Sequence, residues 1–203
     1  MKLTWYGHSC FLLESAEGSA VFDPYSPGSV PGLALPELRA DAVICSHGHS
    51  DHNYARGVTL TGRIPAFGLR QLHVFHDGEG GKLRGENTVT LVEAEGLRVV
   101  HLGDLGHMLS GEQIAKLGRV DLLLIPVGGY YTIGPAEAHA LAVKIAPRAV
   151  VPMHYRGEGF GFDVLAPVEA FLALTENARR FDTNCIEPDK LAAPLTAVLT
   201  LRR

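Results

Sequence analysis

A chain of 203 residues, 46% of them hydrophobic, lies within the roughly 100 to 250 residues of a common domain, so one domain over 1–203 with a sizeable core is expected. With 18 basic against 22 acidic residues, a formal charge of −4 and no Lys/Arg block, it carries no electrostatic footprint for nucleic acid. Neither a signal-like leader nor an apolar run of about 18 residues supports secretion or a membrane span, and a cytoplasmic setting is expected.

Two β-rich runs open the chain, KLTWYGHSCFLLE (2–14) and SAVFDPY (19–25), with turn residues between them, and read as a meander. A Pro/Gly-rich connection covers 26–36, and AVICS (42–46) reads as a buried strand. Further strands are expected at 88–93, 97–102, 122–126, 149–153 and 195–201, with helical patterns at 110–117, 135–145 and 167–177. Pro135 and Pro167 suit the first turn of a helix. Strands dominate the first half and alternate with helices in the second, which predicts sheet layers covered by helices, not a doubly wound parallel sheet. Cys10, Cys45 and Cys185 are odd in number and form no CxxC pair, so reduced thiols are expected, the first two buried in strands. The apolar run LTAVLTL (195–201) is either an internal strand or an edge offered to another subunit.

The most informative stretch is SHGHSDHN (46–53), directly after the AVICS strand. His47 and His49 are two apart, so in an extended segment both rings point to one side, as two ligands of one metal must. Asp51 and His52 are adjacent and would face opposite ways in a strand, so serving one metal requires a turn, which a helix start would supply. Imidazoles with a minority of carboxylate suit zinc, iron or manganese, and two neighbouring ions are sustainable if more ligands arrive from elsewhere. Three further candidates lie just beyond apolar strands: His76 in HVFHDGEGGKLRGEN, Asp104 in LRVVHLGDLGH and His154 in VVPMHY. His73, three residues before His76, is an alternative to it.

HGHSDH followed in order by a histidine, GD and a final histidine resembles the metallo-β-lactamase superfamily. WYGHSCF, FDPY, HDGEGGKLRGEN, HLGDLGH, IPVGGYYTIGP and PMHY are further similar to a bacterial and archaeal subgroup of small metal-dependent hydrolases, related to the ascorbate-phosphate lactonase type. The resemblance implies an αββα sandwich, α/β (α+β) in class, with two mixed β-sheets flanked by helices and the site along one edge. Carried over by position, it implies that His47, His49 and His76 hold one metal, that Asp51, His52 and His154 hold the other, and that Asp104 bridges them. A histidine at position 49, where the flavodiiron branch has an acid, points to hydrolysis.

Two divalent ions, zinc first with manganese or iron as alternatives, would bring a shared water's pKa to around neutrality and yield hydroxide to attack a small ester-like substrate, a lactone or a phosphodiester. Asp51 and Asp104 are the candidates to orient the attacking proton. Asp23 in FDPY is expected to support a ligand histidine or simply to make a turn before proline, and His8 either faces the site or serves structure. His101 and His107 read as structural or supporting and His139 as a surface residue. The Gly128 to Thr132 loop with Tyr130, together with Arg84 and Tyr155, offers possible substrate contacts that equally fit loop and packing roles. A nuclease of the ribonuclease Z or J type is disfavoured by the acidic balance, and a metal-binding module without catalysis by the complete ligand set.

Overall fold

The computed structural model describes residues 1–201. The N-terminal meander becomes β1 (Lys2–Trp5), β2 (Phe11–Ser15) and β3 (Gly18–Phe22), which pair antiparallel in turn. β4 (Leu38–Ala40), β5 (Ala42–Ile44) and β6 (Val58–Leu60) follow, β5 parallel to β3, and β4 with β6 as a separate two-stranded ribbon. Next come β7 (Gly68–Phe75), β8 (Glu86–Ala94), β9 (Leu97–His101), α1 (Gly111–Leu117), β10 (Leu122–Pro126), α2 (Pro135–Ile145) and β11 (Ala149–Met153). The chain continues through α3 (Val168–Leu172), β12 (Ala178–Phe181), β13 (Cys185–Ile186) and β14 (Leu195–Leu199). One sheet has the order β13-β1-β2-β3-β5, the other β12-β14-β11-β10-β9-β8-β7.

Alternation along the strands assembles the layers. Leu3, Trp5, Phe11, Leu13, Ala20 and Phe22 enter the main core together with Val92, Val99 and Leu124 of the other sheet. The intervening Leu12 and Val21 face the opposite way and pack with Tyr25, Val30, Leu38, Ala40 and Val58, the two faces that a period-two pattern demands. β10 reads LLLIP and is buried along its whole length, as a parallel strand covered on both faces must be. Full burial of each such leucine contributes about 1.5–3 kcal/mol relative to exposure. α2 packs on β10 and α3 on α2, while α1 buries Leu117 near Val89 and Leu91. The expected sandwich of two mixed sheets is met, and the layer over the five-stranded sheet is made by the Pro/Gly-rich connection and the β4–β6 ribbon.

Helix ends follow local chemistry. The Ser110 hydroxyl accepts from the Gln113 amide while the Gln113 side chain accepts from the Ser110 amide, and Pro135 occupies the first turn of α2. The helix expected over 167–177 is shorter, because the Thr175 hydroxyl donates to the Leu172 carbonyl and Asn177 accepts from Thr196 at the start of β12's pairing with β14. β4, β6, β12, β13 and most of β7 were not anticipated, since β7 (GLRQLHVF) and β12 (ARRF) are largely exposed and lack an alternating apolar signal. Cys10 is buried but lies in the turn before β2, and Cys45 is half-buried just past β5, so neither occupies the expected strand position. β14 lies between β12 and β11, which makes the C-terminal run internal to its sheet; residues 202–203 are outside the described part.

Strand direction is what positions the site. β9, β10 and β11 run parallel, and β7, antiparallel to β8 as β8 is to β9, shares their direction. Their C-terminal ends therefore meet at one edge and deliver His76, Asp104, the 127–131 loop and His154 to it. Two glycines let the loops close there. A Cβ on Gly106 would stand 2.3 Å from the Asp77 nitrogen and the His76 carbonyl carbon, and one on Gly128 would stand 2.1 Å from the His154 oxygen. Both clashes are with backbone, so no side-chain rotation relieves them. Gly106→Ala is expected to cost about 1–3 kcal/mol by overpacking, lowering the melting temperature by roughly 2–4 °C per kcal/mol, and to displace His76; an unchanged melt would show that the two loops are not in obligatory contact.

Candidate metal centre

The motif loop hangs on a buried carboxylate. Asp23, 1% exposed, accepts from the Ser46 amide at 2.6 Å, the Ser46 hydroxyl at 2.7 Å and His52 Nδ1 at 2.8 Å. The His52 amide donates to the His49 carbonyl at 3.0 Å. Residues 46–52 are thus a continuous bend and turn, not the extended segment expected for His47 and His49, and no helix begins at Asp51; the first helical turn is the 3-10 segment Ala55–Gly57. The turn itself brings the rings together, with His47 Nε2 3.1 Å from His49 Nδ1.

Asp104 is held by a second buried polar group that the sequence reading did not single out. Asn87, fully buried, donates to the Leu102 carbonyl and accepts from the Asp104 amide, both at 2.9 Å. His101 works alongside it: its Nε2 donates to the Ser9 carbonyl at 2.9 Å, its Nδ1 accepts from Gly103 at 3.0 Å, and its ring stacks on Phe22. Asp104 Oδ2 then lies 3.1 Å from His52 Nε2, 3.1 Å from His154 Nε2 and 3.4 Å from His76 Nε2.

Ligand-type atoms within 4.8 Å of one another form three groups: His47, His49 and His76; His8, Asp51, His52 and His154; and His47, His52 and Asp104, which shares members with both. The two triads implied by the resemblance are each brought together, and His8 joins the second, its Nε2 3.3 Å from Asp51 Oδ2. His8 is buried in the left-handed region (φ 50°), and its carbonyl accepts from the Trp5 indole and the His154 amide. Asp23 and His154 are left-handed as well, a concentration of uncommon backbone typical of functional loops.

Burial keeps several imidazoles neutral. It pushes His47 down to about 4, reinforced by His52, and His8 down to about 3, reinforced by His154; His76 is lowered by burial too. Burial also opposes charge on His52, yet Asp104 and Asp23 on its two sides hold its pKa well above the ordinary value. Against the same penalty, His154 and His52 hold the Asp104 carboxyl well below the carboxylate range. The buried atoms without a hydrogen-bond partner include His52 Nε2, His76 Nδ1, Asp104 Oδ1 and both ring nitrogens of His8 and of His154. Unpaired buried polar atoms are costly, and divalent cations satisfy imidazole nitrogens and carboxylate oxygens at once. The donor set fits such ions.

A cavity of about 250 Å³ opens on the cluster, lined by His49, Asp51, His76, Arg84, Asp104, Tyr131 and Phe162. His73 is exposed on β7, outside every group. His107 accepts from the Phe75 amide and contacts the Met108 carbonyl, which anchors its loop, and His139 is half-exposed on α2. Tyr130 is 65% exposed with its ring edge-on to Tyr131, and it is Tyr131 that lines the cavity. Tyr155 is buried between Trp5 and Phe160, which is the packing alternative given for it above, and it does not line this cavity. Phe162 was missed because a phenylalanine in a Gly-rich loop carries no chemical signature.

The family model described as a β-lactamase superfamily domain matches residues 2–154. The UPF0173 metal-dependent hydrolase of Archaeoglobus fulgidus is 31% identical over 193 residues, covering 76% of this chain and 83% of the relative. That of Opitutus terrae is 33% identical over 193 residues, covering 76% and 85%. A crystal structure from Thermotoga maritima, described as a candidate Zn-dependent hydrolase of the metallo-β-lactamase superfamily, is 32% identical with a TM-score of 0.77 over 99% of each chain. Among the described residues no helix is long and apolar enough to cross a membrane. With its sheet edge, histidine cluster and relatives in agreement, the chain belongs to the β-lactamase superfamily domain family and is a metal-dependent hydrolase of the metallo-β-lactamase superfamily.

Proposed function

We propose that this hydrolase works at a dinuclear centre, filled by zinc ahead of manganese or iron, and cleaves a small ester-like molecule, a lactone or a phosphodiester, in the cytoplasm. The observation that carries the reading is the pair of adjacent ligand groups, His47, His49 and His76 beside Asp51, His52 and His154, with buried Asp104 between them. The histidine-rich donor set favours zinc, and the cavity of about 250 Å³ favours a small substrate over a polymer.

When bound, the ions supply a water nucleophile near neutral pH and polarisation of the substrate's carbonyl or phosphoryl oxygen. The chain's own groups prepare the site for that chemistry. His52 donates its Nδ1 hydrogen to Asp23, which fixes the ring so that Nε2 faces Asp104. Asp104 enters as a carboxylate, and its Oδ2 faces three histidines at once. Asp51 lines the cavity and, although burial opposes its charge, His8 and then His52 hold it ionised. Its carboxylate would orient the proton of the attacking water by hydrogen bonding, with His8 fixing its position. Tyr131 and Phe162 narrow the mouth and limit bulk water.

The test is turnover of a phosphodiester and a lactone panel by protein stripped of metal and reloaded with zinc or manganese, with metal counted per chain. Metal-dependent hydrolysis of one class with two ions bound supports the reading, whereas full activity with one ion removes the dinuclear part. Asp104→Asn is expected to lower metal occupancy and to reduce turnover beyond the roughly 10–100-fold that loss of a ligand's outer partner costs; normal activity would take Asp104 out of the centre. Asp23→Ala is expected to weaken metal affinity by about 10–100-fold, with turnover recovering in excess metal. Failure to recover would mean that Asp23 does more than orient His52.

A further inference from the structure

One cation in the cavity wall is not used by the chemistry above. Arg84 lies on the loop that follows β7 and is half-buried, with its guanidinium carbon 5.7 Å from the centroid of the Tyr131 ring, a distance at which the two attract. The loop is stiff. Asp77, 2% exposed, gathers the amides of Glu79 and Gly81 on Oδ1 at 2.8 and 2.9 Å and those of Leu83 and Arg84 on Oδ2 at 2.9 and 2.7 Å. The Gly85 carbonyl accepts from His76 at 3.0 Å, which ties the loop to a ligand histidine. Arg70, Arg98, Arg119, Arg148 and Arg180 each face a carboxylate within 4.0 Å. Among the described residues Arg39, Arg56, Arg63 and Arg179 face none but are exposed, whereas Arg84 faces none while half-buried, although Asp51 and Asp104 line the same cavity.

A half-buried guanidinium held on a rigid loop and a tyrosine face, with no internal partner, is preorganised for an outside anion. The charge balance agrees: Asp51 and Asp104 offset only half the charge of two divalent ions, and Arg84 adds one more positive group to a small cavity, a field that concentrates anions. Resting on the hydrolase reading, we propose that Arg84 binds a carboxylate or phosphate oxyanion of the substrate, so that the molecule cleaved is small and anionic. Tyr131 positions the guanidinium, and Phe162, packed edge-on against Tyr131 with ring centroids 5.7 Å apart, supplies an apolar wall for the carbons between the anion and the scissile bond.

The test uses the metal-loaded full chain and calorimetric titration with inorganic phosphate and with glutarate, for wild type, Arg84→Gln and Arg84→Lys, alongside kinetics on matched charged and neutral esters. Arg84→Gln is expected to weaken one of the two anions by about 10–100-fold with metal content and melting temperature unchanged. The preference for charged over neutral ester should fall by a similar factor through KM, and Arg84→Lys should restore part of the loss. Dependence confined to phosphate identifies a phosphorylated substrate, and dependence confined to glutarate a carboxylated one. Equal binding by wild type and Arg84→Gln, no binding of either anion, or equal preference for neutral esters overturns the proposal while leaving metal-dependent hydrolysis intact. Arg84-dependent binding without hydrolysis of any ester would instead sustain the anion site and reject the ester-hydrolase reading.

Discussion

The arrangement depends on one carboxylate oxygen, Asp104 Oδ2, placed within 3.4 Å of three histidine nitrogens in the protein interior. Ionising a group that is 2% exposed is unfavourable, and it is tolerated here because His52 and His154 stand against it. The same proximity leaves imidazole nitrogens and the other carboxylate oxygen without hydrogen bonds. A protein without metal chemistry would have little reason to hold this combination, since replacing it with apolar side chains is often neutral or stabilising. The cluster is therefore a site whose local cost the surrounding core must carry.

That core carries it through direction as much as through burial. The C-terminal ends of β7, β9, β10 and β11 share one sheet edge, and the loops leaving them converge because Gly106 and Gly128 permit backbone contact. Around the cluster runs a set of buried polar supports. Asp23 clamps the motif loop, Asn87 and His101 clamp the turn that bears Asp104, and Asp77 clamps the loop between His76 and Arg84. Each support makes two or more hydrogen bonds, which distinguishes it from most of the cluster and from His8. None of these supports keeps an unpaired buried atom, whereas His8 and several members of the cluster do.

The cavity inherits its geometry from these clamps. Arg84 and His76 sit on one stiff loop, so a substrate anion held by the guanidinium would be in register with the ligand cluster without a large motion. Tyr131, on the loop following β10, meets Arg84 of that loop in the cavity wall. Binding group and reacting centre are thus mechanically coupled by short loops, the preorganisation on which positioning in catalysis rests.

The linear sequence by itself determined the strong local signals: the HGHSDH motif, the strands with continuous apolar runs such as β10 and β11, and α2 with its Pro135 start and its bounds at 135–145. Those features are written in neighbouring residues, because ligand spacing, apolar runs and helix starts are short-range properties. Only the tertiary structure decided which of His73 and His76 joins the cluster, since a strand's register sets the face each residue takes and β7 lacks the apolar alternation that would reveal it. It also replaced the extended reading of 46–52 with a bend, because the bond from Asp23 to His52 arises between residues far apart in the chain. Likewise the fold sets Tyr155 against Trp5 and Phe160, Tyr131 and Phe162 in the cavity wall, and Asn87 and Asp77 as clamps, positions fixed by what lies across the fold and by no residue beside them in sequence.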